Sequence, residues 1–108
     1  MIKILNSRDL RNGGTLNLRI NHYAVIAIRK NNRAFVYLNQ CPHLGLPLER
    51  AAHDFLDTNQ TLIRCANHGA LFQIHSGQCV SGPCQGSTLK AIPIQEFDGA
   101  IWSEYLSH

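Results

Sequence analysis

The sequence predicts an all-β protein, an antiparallel β-sandwich or barrel-like base with a lobe inserted between its strands. Two observations set the fold class. Short runs rich in β-branched and aromatic residues alternate with turn signals near both ends of the chain, and no stretch sustains a long helical period. A third observation places the lobe: the middle of the chain holds two segments, Cys41-Pro42-His43-Leu44-Gly45 and Cys65-Ala66-Asn67-His68-Gly69, each with one thiol and one imidazole close together.

Taken in order, Met1 to Leu5 alternates as a half-buried strand does, and Thr15 to Ile20 does so less cleanly, with Gly13-Gly14 turning the chain between them. Ser7 to Arg11 tolerates a short helix, and so does Leu48 to Phe55. Tyr23 to Arg29 and Ala34 to Asn39 flank Lys30-Asn31-Asn32-Arg33, a hairpin signal. Leu89 to Phe97 and Ala100 to Tyr105 flank Asp98-Gly99, the strongest short hairpin signal in the chain. One domain over residues 1–108 follows, with residues 1–39 and 86–108 as base strands and residues 40–85 as the lobe. Base strands that hold together the ends of the insert make such an arrangement workable. No repeat, low-complexity tract or linker interrupts it.

Composition narrows the function classes. A hydrophobic fraction of 44% and a charged fraction of 16% describe a folded chain rather than a disordered one. The formal net charge is only +3, and the ten Lys and Arg residues are scattered from Lys3 to Lys90 without a run, which argues against a nucleic-acid partner. Met1-Ile2-Lys3-Ile4-Leu5-Asn6 turns polar before an apolar signal region forms. The longest apolar run, Tyr23 to Ile28, falls far short of the roughly 20 residues that span a bilayer. The expectation is a soluble, cytoplasmic protein with no membrane partner.

The two Cys–His pairs carry the chemistry. They are separated by 21 residues, enough chain for the loops to face each other. Pro42 stiffens the first pair, and in an extended segment residues i and i+2 project to one side. Gly45 and Gly69, each soon after a His, allow positive φ and close approach of backbone amides. Two thiolates and two imidazoles suffice for a structural Zn²⁺ or for a 2Fe-2S cluster. Zinc modules usually pair like ligands, as C-x₂₋₄-C followed by H-x₃₋₅-H. Here each pair is mixed, which suits a two-iron centre in which each loop gives its Cys to one iron and its His to the other.

The segments C-P-H-L-G and C-x-x-H-G, with Phe72, Gly77 and then Gly82-Pro83, resemble a Rieske iron–sulfur protein, specifically a small free-standing Rieske-type 2Fe-2S ferredoxin. The motif, Cys41 to Pro83, covers about forty residues. The resemblance implies one 2Fe-2S cluster held by Cys41, His43, Cys65 and His68, with a third loop at Gly82-Pro83 covering it from the side. It implies that the His ring nitrogens not bound to iron reach the surface, rimmed by Leu44, Leu46, Pro47 and Pro83, which either dock a partner or pack the loops together.

With two neutral imidazoles the oxidised core is neutral and becomes singly negative on reduction, whereas four thiolates would leave a doubly negative core. His ligation therefore raises the potential, into a range of roughly −150 to +300 mV. High-potential members of the respiratory type place a Ser just after the second His-Gly and a Tyr two residues on, whose hydroxyls stabilise the reduced centre. They also carry an extra Cys in each loop. Here the matching residues are Ala70 and Phe72, and Leu46 (or its neighbour) and Asn67, so the expectation is a low-potential carrier.

No catalytic residue is assigned, because an oxygenase of this family needs a second domain with a mononuclear iron bound by two His and a carboxylate. The resemblance implies transient partners instead, a flavoprotein ferredoxin reductase as donor and an oxygenase component as acceptor. The alternatives are a small Rieske-like subunit of a larger reductase of the nitrite reductase type and a zinc-stabilised interaction module. Cys79 and Cys84 are not needed as ligands and read as reduced, structural thiols, with a disulfide as the alternative under oxidising conditions. His22, His53, His75 and His108 have no partner Cys at ligand spacing and read as surface or loop residues.

Overall fold

The computed structural model describes residues 1–40, Pro42, Leu48, 55–57, 61–65, 69–82 and 86–106. The six residues of Lys30 to Phe35 show how the chain folds locally. Asn31 and Asn32 take φ of 53° and 65°, the conformation of a primed two-residue turn whose twist matches that of its flanking strands. That turn joins β3 (Tyr23–Lys30) to β4 (Arg33–Leu38), and β2 (Thr15–Ile20) pairs on the other side of β3, giving an antiparallel meander in the order β2-β3-β4.

A second sheet joins the two ends of the chain. β1 (Ile2–Asn6) pairs with β9 (Ala100–Ser103), which pairs with β8 (Gln95–Phe97) through Asp98-Gly99, at φ of 52° and 70°. The register of β1 shifts at Ile4, which is buried. The third sheet is β5 (Leu62–Arg64), β6 (Leu71–Gln73) and β7 (Cys79–Ser81), again antiparallel in sequence order. Among the described residues there is no α-helix and no closed barrel, so the all-β expectation agrees with the structure.

Alternation along β3 explains how the sheets stack. Val25 and Ala27 point into a core shared with Ile4, Val36, Ile101 and Leu106, while Ile26 and Ile28 point into a core shared with Tyr37, Ile63, Phe72 and Leu89. All four β3 residues are at most 1% exposed. The meander is thus the middle layer, with the β1-β9-β8 sheet on one face and the β5-β6-β7 sheet on the other.

Gly13-Gly14 turns the chain as expected, with Gly14 N–H donating to the Arg11 carbonyl at 2.7 Å, and carries it from one sheet to another. Two local expectations need correction. Ser7 to Arg11 holds only a 3-10 turn, Ser7–Asp9. Leu89 to Phe97 is not one strand: residues 90–92 bond the free edge of β4 through Lys90 carbonyl and Ile92 N–H, Pro93 then offers no donor, and β8 begins at Gln95 in a different sheet. The helix-tolerant stretch after Leu48 lies outside the described residues up to Phe55, which is buried and not helical.

One ion pair ties the layers at the surface. Arg29 on β3 makes a two-pronged contact with Glu96 on β8, at 3.1 and 2.6 Å, and donates through Nε to the Leu10 carbonyl. The Arg29 guanidinium holds the Glu96 carboxyl below its ordinary range.

Candidate metal centre

Cys65 follows directly on β5 and is fully buried. Its N–H donates to the Ala70 carbonyl at 2.8 Å, and Gly69 N–H donates back to the Cys65 carbonyl at 3.1 Å, so backbone bonds close the β5-β6 hairpin loop. Gly69 takes φ of 65° with open space around its α-carbon, so the conformation, not crowding, calls for glycine there.

The chain around Gly82 is closed in the same way. Cys79 N–H donates to Ser87 carbonyl at 2.9 Å and Leu89 N–H to Gly77 carbonyl at 2.8 Å, which fixes both ends of the segment between them. Gly82, at φ of 102°, lies against the β5-β6 loop so closely that a Cβ would stand 2.8 Å from Ala70 Cα. The loop expected to flank the site thus meets the Cys65 loop at Ala70, itself fully buried.

Support comes from behind the loops. The buried Tyr37 hydroxyl donates to the Ile74 carbonyl in the turn after β6, and burial pushes its pKa up to about 12, so it stays a donor at physiological pH. Gly77, at φ of 75°, leaves the room Tyr37 needs: a Cβ would sit 2.8 Å from its ring. Phe72 is fully buried in the same core as Cys65, Ala70 and Leu48.

Of the four expected ligands, only Cys65 lies within the described residues; Cys41, His43 and His68 lie outside them. Among the described residues no group of three or more His, Cys, Asp or Glu is gathered that could hold a metal. The residues that are present fit a thiolate-bound centre, since a buried Cys stands at the mouth of a backbone-closed loop with a glycine pressed beside it. The expected apolar rim, Leu44, Leu46, Pro47 and Pro83, also falls outside the described residues. Cys79 is a buried thiol 3.3 Å from the Ser81 carbonyl, while Cys84 is not described. His22 and His75 are exposed, as expected, and His53 and His108 are not described.

Two residues escaped the sequence reading. Asn39 is a buried polar side chain whose Oδ1 accepts the Leu48 N–H at 2.8 Å, and Tyr37 buttresses the third sheet. An Asn two positions before Cys41 was the only available signal for the first; nothing in the sequence pointed to the second.

Comparison with known proteins places these features. The family described as Rieske [2Fe-2S] domain matches residues 1–98. Comparison with curated proteins gives no match. Among solved structures, the ferredoxin of carbazole 1,9a-dioxygenase from Nocardioides aromaticivorans IC177 superposes with a TM-score of 0.74 at 17% identity, covering 93% of this chain and 92% of that one. The Sphingomonas yanoikuyae B1 ferredoxin gives 0.73 at 23% identity, over 94% and 95% of the two chains. A chain from a complex of reduced oxygenase and oxidised ferredoxin in carbazole 1,9a-dioxygenase gives 0.73 at 20% identity, over 94% and 98%.

Proposed function

Because the chain belongs to the Rieske [2Fe-2S] domain family, whose cofactor is one 2Fe-2S cluster, we propose that it is a one-electron carrier that holds this cluster through Cys41, His43, Cys65 and His68. The observation that carries the ligand assignment is Cys65, buried at the mouth of a loop closed by its own backbone and flanked by Gly82. When bound, the cluster supplies a site that takes up and releases one electron at a potential set by its ligands and the donors around them. The chain's own part is to hold the thiolates and imidazoles, exclude water and fix the donors. Cys65 and Ala70 exclude water from one side by their complete burial, and Gly82 brings a second stretch of backbone against them.

Ala70 and Phe72 bear no hydroxyl, and both are fully buried. Neither offers the donor that raises the potential in the respiratory type, which supports a midpoint near the bottom of the range of about −150 to +300 mV. The fold shared with ferredoxins, one of them in complex with an oxygenase, supports an oxygenase component as acceptor. A carrier that gives up electrons must also be supplied with them, and we assign that role to a flavoprotein reductase. We read residues 1–39 and 86–108 as the base and residues 40–85 as the cluster lobe of a single cytoplasmic domain. Among the described residues no helix is long and apolar enough to cross a membrane.

The test is anaerobic dithionite reduction followed by low-temperature EPR, with iron and zinc quantified on the same sample. A rhombic reduced-state signal and about two irons per chain are expected of the mixed-ligand cluster. Zinc without an EPR signal in anaerobically purified protein overturns the reading, and a midpoint above about +100 mV overturns the low-potential part of it.

A further inference from the structure

The proposed function leaves open what holds the first ligand segment in place, and the surroundings of Asn39 answer it. β4 ends at Leu38, but the ladder runs one residue further, with Asn39 N–H donating to Ala24 carbonyl at 2.9 Å. The neighbouring Leu38 N–H is held from the other edge by Lys90 carbonyl, at 2.9 Å. The backbone of Asn39 is therefore part of the rigid middle sheet. Its side chain is 6% exposed and accepts the N–H of Leu48, a residue that is 0% exposed. Leu48 in turn packs in the core that contains Cys65 and Ala70.

Residues 40–47, with Cys41 and His43 among them, span the interval between these two anchors. Closing such an interval costs conformational entropy, and an interval closed in advance spares the metal that cost when it binds. A buried N–H at Leu48 also needs an acceptor. The Asn39 amide meets both demands with one neutral group. Resting on the cluster assignment above, we propose that Asn39 is a positioning residue of the metal centre, its amide oxygen clasping Leu48 so that the segment carrying Cys41 and His43 is closed before the cluster is bound.

The experiment compares Asn39→Leu, which keeps size but not the acceptor, Asn39→Ser, whose hydroxyl stops short of Leu48, and Asn39→Asp, which keeps an acceptor oxygen. The control is Ser103→Ala, which removes a buried hydrogen bond, from the Ser103 hydroxyl to the Pro93 carbonyl, that closes no ligand segment. Iron per chain, loss of cluster absorbance under a chelator, EPR line shape and midpoint potential are read on each. The Leu and Ser variants should lose cluster about tenfold faster than the starting protein, which corresponds to about 1.4 kcal/mol. They should also broaden or shift the reduced-state signal. Asn39→Asp should restore retention to within about twofold, well inside that tenfold interval. It should also lower the midpoint, because a carboxylate opposes the negative charge added on reduction. Ser103→Ala should leave line shape and midpoint unchanged.

Wild-type retention and line shape in Asn39→Leu and Asn39→Ser overturn the proposal, as does Asn39→Asp losing cluster as fast as they do. If the unsubstituted protein itself binds no iron, the cluster reading falls and this inference with it. If it binds iron and all three variants match it, this inference alone falls.

Discussion

Replacing Gly82 by alanine should loosen the metal centre, and Gly86→Ala, four residues on, should not. Both glycines adopt left-handed φ, 102° and 96°, so each alanine meets a dihedral penalty of about 1–2 kcal/mol. That penalty is common to the pair and cancels in their comparison. Only at Gly82 does the new Cβ collide, 2.8 Å from Ala70 Cα and 3.1 Å from Ala70 Cβ, whereas at Gly86 nothing among the described residues lies within 4 Å. Ala70 has little freedom to yield, because it is fully buried and its carbonyl holds the Cys65 N–H at 2.8 Å. Relief must come from parting the two loops, at the cost of forcing extra volume into a packed site, about 1–3 kcal/mol. If that strain is released when the cluster leaves, Gly82→Ala should lose cluster roughly 5- to 150-fold faster than Gly86→Ala at 25 °C. The assay is decay of visible absorbance under a fixed chelator concentration, with both variants at matched iron content. Equal half-lives, within a factor of about two, would refute the argument, since they leave no room for a contact worth even 1 kcal/mol.

Glu96→Gln should cost up to about 1 kcal/mol near neutral pH, the scale of a part-exposed ion pair, and most at low salt. Arg29 lowers the folded-state pKa of Glu96, so its contribution is complete above the unfolded value near ~4.3 and is lost as pH falls through the folded value. The melting-temperature gap between wild type and variant should therefore close in acid; a gap that stays constant there refutes the assignment. Ala70→Ser should raise the midpoint, because Ala70 closes the Cys65 loop and a serine there supplies the hydroxyl donor that alanine lacks. A redox titration showing an unchanged or lower midpoint would remove Ala70 from the account of the proposed low potential.

The hairpins were the most legible part of the sequence. Asn31-Asn32 and Asp98-Gly99 are residue pairs that accept positive φ at both positions, and the structure uses them so. β2 spans Thr15–Ile20, the stretch its alternation marked. The third sheet was illegible because β5, β6 and β7 are three residues each, too short to show a period of two. The Leu89–Phe97 run misled because its apolar residues serve two sheets in succession, with Pro93 at the change. The family agrees with the one that the two Cys–His segments resemble. The role of Asn39 was hidden because its partner is a backbone N–H nine residues away, which no side-chain pattern records.

The double burial of β3 has a consequence for how the molecule breathes. Val25 to Ile28 wall both cores at once, so neither outer sheet has a hydrophobic face of its own to keep if the meander dissolves. A chain stripped of the β5-β6-β7 sheet would present Ile26 and Ile28 to water, at about 1.5–3 kcal/mol each. Local opening that releases one layer while preserving the rest is correspondingly disfavoured. The amides of residues 25–28 should exchange with solvent deuterium only when the whole domain unfolds, and those of exposed β8 much sooner. In a domain built this way the three layers come apart as one event.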